Sequence, residues 1–317
     1  MAMNRFGLIP LRAVLLALGL VLASAGTVKA GFKEGMEALQ QGDFQSSIKF
    51  LTPLADKGHV MSAAVLGSIY ADSATGFLDD GKAFQYTEIA AIAGFPAAQN
   101  GLGYMYLFGR GTSASTDRAR HYFRLAADQG HVQAQLNYGQ LLVDDNNENS
   151  TQIGLRYIEM AADRRLPGAL NALGLASLSG NGRKQNKRKA VAYFKEAVSL
   201  GDIAAHSNLA DRYAEGDGVG KDPVKAFELY SVAALANVKH AQRAIGLAYA
   251  SGSGVAEDPE QALVWLAISR WDPPDNPRLD ITTADEAAAI AIANPTVVIR
   301  ALERAKKCVR NGLSDCL

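Results

Sequence analysis

A large apolar residue followed by a small one returns at nearly constant spacing along most of this chain. The small residue is Gly67, Gly103, Gly139, Gly174, Ala210 and Gly246, in steps of 36, 36, 35, 36 and 36 residues. Its predecessor is Leu66, Leu102, Tyr138, Leu173, Leu209 or Ile245. A second row runs through the other half of each period: Ala83, Ala119, Gly154, Ala190, Ala226 and Ala262. Three residues on stand Tyr86, Tyr122, Tyr157, Tyr193, Leu229 and Trp265, and seven residues on stand Ala90, Ala126, Ala161, Ala197, Ala233 and Ser269. Offsets of 0, +3 and +7 share one face of an α-helix. Each period therefore holds two helices, whose small residues let backbones approach while aromatic rings fill the space between layers. One such unit cannot bury its apolar face alone, so stacked copies must share a continuous core. The pattern predicts an all-α chain of about 16 helices with essentially no sheet.

The connections repeat as well. Gly216-Asp217-Gly218-Val219-Gly220-Lys221-Asp222-Pro223 joins the two helices of one unit, and Gly252-Ser253-Gly254-Val255-Ala256-Glu257-Asp258-Pro259 those of the next. Glycine ends the first helix at positive φ, aspartate caps the second, and proline suits its first turn. Thr116 and Asp117 start the corresponding helix of an earlier unit. Gly58, Gly94, Gly130 and Gly201 close second helices, a slot held elsewhere by Arg165 and Asn237.

This pattern resembles the Sel1-like repeat family, a relative of the tetratricopeptide repeats, most closely at Gly216 to Ala233 and Gly252 to Ala262. The pair Leu102-Gly103 and the run Ala126-Ala127-Asp128-Gln129-Gly130-His131 are also typical of it. The resemblance implies six repeats over residues 59–270 and a right-handed superhelical solenoid of antiparallel helix pairs. Members of the family hold protein complexes together, and several in bacteria are periplasmic and affect envelope signalling or exopolysaccharide production. The unit containing Val143 to Ser150 departs most: Asp144-Asp145-Asn146-Asn147-Glu148-Asn149 replaces the glycine turn, without the spacing or glycine of a helix-loop-helix calcium site.

The ends differ from the middle. Residues 31–58 read as a tetratricopeptide-like helix pair turning at Gly42-Asp43, an N-terminal cap. Residues 271–317 read as a linker and C-terminal capping helices: Trp271 to Pro277 is broken by prolines, Thr283 caps a helix from Ala284 to Ala293, and another runs from Pro295 to Arg310. Asn311 and Gly312 turn the chain back between Cys308 and Cys316, the two cysteines of the sequence, and an exported compartment favours their pairing. One or both thiols free, or a bond between two chains, are the alternatives. Residues 1–30 read as a cleavable secretory signal. Arg5 and Arg12 precede the apolar stretch Ala13 to Ala25, which is short for a membrane span, and small residues allow cleavage after Ala30 or Ala25. An uncleaved anchor is the alternative; the rest of the sequence holds no transmembrane segment.

Charge narrows the partners. Lys and Arg number 32, as do Asp and Glu. Without Arg5, Arg12 and Lys29 the balance is 29 to 32, which excludes the strongly basic surface of a nucleic-acid binder. Gly216 to Gly220 is not a phosphate loop, because Lys221 is followed by Asp222 and no strand precedes it. The five histidines, His59, His121, His131, His206 and His240, lack metal-site spacing. No serine lies in a nucleophile elbow. The sequence thus predicts no catalytic residue, cofactor or metal, and no enzyme.

What remains is a protein–protein interaction scaffold or regulatory adaptor of the bacterial envelope, in the periplasm or secreted, whose partner is the periplasmic domain of an envelope or membrane protein. Polysaccharide or peptidoglycan binding, or capture of a host protein after secretion, are the alternatives. In tetratricopeptide-like arrays the first helix of each pair lines the concave face. Residues two before and two after Leu102, and their equivalents, supply the candidate binding row: Asn100, Tyr104, Gln140, Asn171, Asp211 and Arg243. They vary in charge and size while the structural columns do not, although plain solvent exposure would produce the same variation.

Overall fold

A computed structural model describes residues 31–145, 147–270 and 295–316. The leader expected at residues 1–30, the linker at 271–277 and the helix expected at Ala284 to Ala293 lie outside the described residues, as does Asn146. Among the described residues there are fifteen α-helices, two short 3-10 turns and no strand. The chain divides into two compact units, residues 1–164 and 165–317. Each is a solenoid of antiparallel helix pairs.

The first unit runs through α1 (Phe32–Gln40), α2 (Phe44–Ala55), α3 (Val60–Ala71), α4 (Asp80–Ile92), α5 (Pro96–Phe108), α6 (Thr116–Asp128), α7 (Val132–Val143) and α8 (Glu148–Asp163). The second runs through α9 (Pro167–Ser179), α10 (Lys187–Ser199), α11 (Ile203–Glu215), α12 (Pro223–Leu235), α13 (Lys239–Ser251), α14 (Pro259–Ser269) and α15 (Pro295–Asn311). Second helices start where the sequence places a cap. Asp222 accepts from the Lys225 amide and Asp258 from the Gln261 amide, with Pro223 and Pro259 at the first turn. α6 starts at Thr116 as expected, with Ser115 as its cap. Arg165 and Asn237 adopt the positive φ that glycine supplies in the equivalent slots.

The small-residue column packs each first helix onto its own second helix. A methyl added at Gly103 would lie 2.7 Å from the Phe123 ring, at Gly174 2.4 Å from Phe194, and at Gly246 2.8 Å from Leu266. The facing residue is four after the second-helix small residue, not three. Where the column holds Ala210, the residue four after Ala226 is Tyr230. The large apolar column is fully buried at Leu66, Leu102 and Ile245. Each such side chain contributes about 1.5–3 kcal/mol of burial. The column three after the glycine carries a repeated cation–π contact: Lys82 over Tyr70 at 5.0 Å, Arg118 over Tyr106 at 5.3 Å, and Lys225 over Tyr213 at 5.1 Å. In the divergent repeat the same positions hold Ile153 and Leu142, an apolar pair in place of a polar one.

In three turns the second glycine ties one repeat to its neighbour. Gly111 has φ +69°, and a methyl there would strike the carbonyl of Asp80; Gly218 lies in the same way against Lys187, and Gly254 against Pro223. Glycine is needed there twice over, for the left-handed backbone and for the close approach. Beside this contact sits a charge pair of reversed sign in the two units. Arg110 bonds Asp80 through Nε at 3.0 Å and through Nη2. At the equivalent positions Asp217 accepts from Lys187 Nζ at 2.8 Å. Arg110→Asp should lower the melting temperature by several degrees, a loss of about 1 kcal/mol for a half-exposed pair plus the new repulsion. Arg110→Asp combined with Asp80→Lys reproduces the second unit's arrangement and should recover most of the loss in a thermal melt.

α15 packs against α14. Ala301, Ala305 and Cys308 pack on Leu263, Val264 and Trp265 of α14. Cys308 is disulfide-bonded to Cys316, with Cα atoms 5.9 Å apart, and Trp265 Nε1 donates to the Cys316 carbonyl at 3.1 Å.

Candidate functional site

The first helices of the repeats are α3, α5 and α7 in the first unit and α9, α11 and α13 in the second. The six residues expected to form a binding row fall three to each unit. In the first, Asn100 on α5 is 1% exposed and its Oδ1 accepts from Asn137 Nδ2 of α7 at 2.9 Å. Asn137 Oδ1 in turn accepts from Gln133 Nε2 at 3.0 Å. Tyr104 is 6% exposed, with its ring centroid 4.5 Å from that of Phe108. Gln140 on α7 is half-buried. Asn100 and Tyr104 therefore do not open onto a surface as expected. Successive first helices approach closely enough for an amide pair to span them, and in this unit that pair is enclosed. Tyr104 offers no open aromatic platform of the kind a glycan would stack on.

In the second unit Asn171, Asp211 and Arg243 are all half-buried, with part of each side chain accessible. The amide bridge recurs: Asn208 Nδ2 of α11 donates to Asn171 Oδ1 of α9 at 2.7 Å. One turn further along α11, Asp211 Oδ1 accepts from the Tyr230 hydroxyl of α12 at 2.5 Å and lies 2.8 Å from His240 Nε2 of α13. Leu175, 45% exposed, follows Asn171 by one turn on α9. The face thus carries a half-buried amide pair, a carboxylate–imidazole pair and an exposed leucine, held laterally from α9 through α11 to α13.

Two repeated polar columns escaped the sequence reading. Buried glutamines tie first helices back to the preceding second helix: Gln99 Nε2 donates to the Ala91 carbonyl at 3.2 Å, Gln135 to Ala127 at 3.5 Å and Gln242 to Ala234 at 3.1 Å. His59 and His131 are N-caps, each accepting at Nδ1 from the amide three residues on, at 3.3 and 3.2 Å. Asp202 does the same in its repeat, and that equivalence was the available signal.

His131 and His240 are shifted in opposite directions. Burial holds His131 below its ordinary value of 6.5. The hydrogen bond to Asp211, with the charge of that carboxylate, raises His240, while burial and Arg243 oppose the rise. A lowered folded-state pKa means stability that is lost as pH falls below 6.5, and a protonated His131 has no Nδ1 lone pair left for the cap. A raised one means stability present below 6.5 and lost as pH climbs through the folded value. His131→Asn, which keeps a capping oxygen, should therefore flatten the acid side of a plot of melting temperature against pH. His240→Gln should flatten the part above pH 6.5.

Among the described residues no group of three or more His, Cys, Asp or Glu is placed to hold a metal ion. No helix among them is long and apolar enough to cross a membrane. Stacked helix pairs with laterally bonded first helices define a helical-repeat protein. Residues 60–95, 96–131, 167–202, 203–238 and 239–269 match the Sel1 repeat, and the chain belongs to this family. Residues 132–166, which hold α7, α8 and the polar turn, fall outside those matches.

An uncharacterized protein of Neisseria meningitidis serogroup B is 29% identical over 46% of this chain and 31% of its own length. The chain thus spans under a third of that relative. An exopolysaccharide production negative regulator of Rhizobium leguminosarum bv. viciae is 25% identical, covering 43% of this chain and 68% of its own. The crystal structure of a Sel1 repeat protein from Oxalobacter formigenes superposes with a TM-score of 0.70 at 25% identity, over 78% of this chain and all of that one. A protective antigen of uropathogenic Escherichia coli strains with an SLR fold gives 0.58 at 20% identity, over 96% and 72%, a likeness of fold alone.

Proposed function

We propose that this chain is a protein-binding scaffold of the bacterial envelope, exported to the periplasm or beyond, which regulates a membrane or envelope protein by holding its periplasmic domain. The observation that carries the reading is the lateral bonding of the first helices. Asn171 with Asn208, and Asp211 with His240, fix partly accessible polar groups on one face before any partner arrives. A preorganised face loses less side-chain entropy on binding. Three further observations support the envelope: the leader-like composition of residues 1–30, a disulfide at Cys308 and Cys316, and a relative whose name is that of an exopolysaccharide production regulator.

Crosslinking in the native cell followed by mass spectrometry tests this. One envelope protein should be enriched with the chain, its crosslinked peptides lying outside the cytoplasm. Recovery of glycan adducts with no protein partner would overturn the reading in favour of polysaccharide binding.

A further inference from the structure

The amide pair of the second unit carries more than a stabilising contact. Asn171 and Asn208 are half-buried on adjacent first helices and joined by a single bond, Asn208 Nδ2 to Asn171 Oδ1 at 2.7 Å. A carboxamide has one oxygen, with two acceptor lone pairs, and one nitrogen, with two N–H donors. After the mutual bond, Asn171 Nδ2 remains as a donor and Asn208 Oδ1 as an acceptor, and neither has a hydrogen-bond partner among the described residues. Reversing both amides reverses the bond but still leaves one nitrogen and one oxygen wholly unused. That is the hydrogen-bonding complement of a peptide group, which offers one C=O and one N–H.

Resting on the scaffold reading above, we infer that the Asn171–Asn208 pair reads the main chain of an extended polypeptide segment laid across α9 and α11, with an apolar side chain of that segment seated on Leu175. Three features favour such a strand over a folded, charged surface. The reading groups are neutral. Their orientation is fixed by their own bond, so little rotamer entropy is lost on binding. Leu175, 45% exposed and one turn from Asn171, supplies apolar contact beside the polar pair. A strand alternates its side chains, so one lies toward the leucine as the intervening peptide group meets the amides. Recognition through main-chain groups tolerates most ligand side chains and depends little on salt.

The test uses the full chain and a positional library of 10-residue peptides, with affinities read by fluorescence anisotropy. Binding peptides should carry an apolar residue at one position and tolerate substitution at the others. N-methylation of one peptide nitrogen beside that residue should weaken binding about tenfold, the loss of a neutral hydrogen bond and its partner. The Asn171→Ala and Asn208→Ala double variant should weaken the parent peptide similarly, yet be nearly indifferent to that N-methyl group. Methylating the ligand leaves the protein unaltered, so a folding defect cannot mimic the result. Binding unaffected by N-methylation at every position would overturn the inference, as would a failure of the library to bind a chain that still captures its crosslinked protein. In that second outcome the scaffold reading survives; loss of any protein partner in the crosslinking experiment would remove that reading itself.

Discussion

Gly139→Ala should cost about 3 kcal/mol, at the upper end of what one added methyl does in a packed core, and lower the melting temperature by roughly 6–12 °C. The new methyl would lie 2.6 Å from the Gly154 carbonyl oxygen and 2.6 Å from Ile158 Cγ1. The first of these is backbone, so relief requires α7 and α8 to separate, and the strain spreads along both helices. At Gly103 the obstacle is a side chain, the Phe123 ring, rather than backbone, and Gly103→Ala should be milder. Gly101→Ala is the control. Gly101 is also buried in a first helix, but its nearest neighbour would be Thr87 Cγ2 at an ordinary 3.5 Å. Alanine should be neutral there or add up to about 1 kcal/mol from helix propensity. Equal melting temperatures for Gly139→Ala and Gly101→Ala would contradict the packing described.

Trp265→Ala should be damaging for a different reason. Residues 263 to 268 are all buried, Trp265 completely, so α14 is covered on every side. The indole fills the space under α15 and donates to the Cys316 carbonyl at 3.1 Å. Truncation should cost about 3–5 kcal/mol through lost burial and a cavity. Trp265→Phe should cost less, because most of the packing remains. Reduction of the Cys308–Cys316 bond should cost about 2–3 kcal/mol, from one short loop. Chemical denaturation of the oxidised variants and of the reduced parent gives this order directly. A Trp265→Ala chain as stable as the parent would mean that α15 is not a cap.

The helical solenoid is legible in the sequence because its constraint is steric: a helix crossing at close range admits only a small residue, and the glycine column recurs whatever surrounds it. The residue facing that column is harder to see. Thr87, Phe123, Ile158, Phe194, Tyr230 and Leu266 share a position but no chemistry, so the eye goes to the tyrosines one place earlier. The disulfide is readable from two cysteines flanking a helix-ending Asn311-Gly312. The amide bridges are not, because Asn100 to Asn137 and Asn171 to Asn208 each step 37 residues while the repeat steps 35 or 36. A search at a fixed period separates partners that touch. The same offset encloses Asn100 on the seam between first helices, where a column argument places it on open surface.

Site-specific photocrosslinking reports most directly on whether the first-helix face binds protein. Benzoylphenylalanine at Leu175, exposed on α9, should form an adduct with a protein in the native cell. The same probe at Glu196, exposed on the second helix α10, should form none. An adduct from Glu196 with none from Leu175 would place the partner on the second helices and contradict the account.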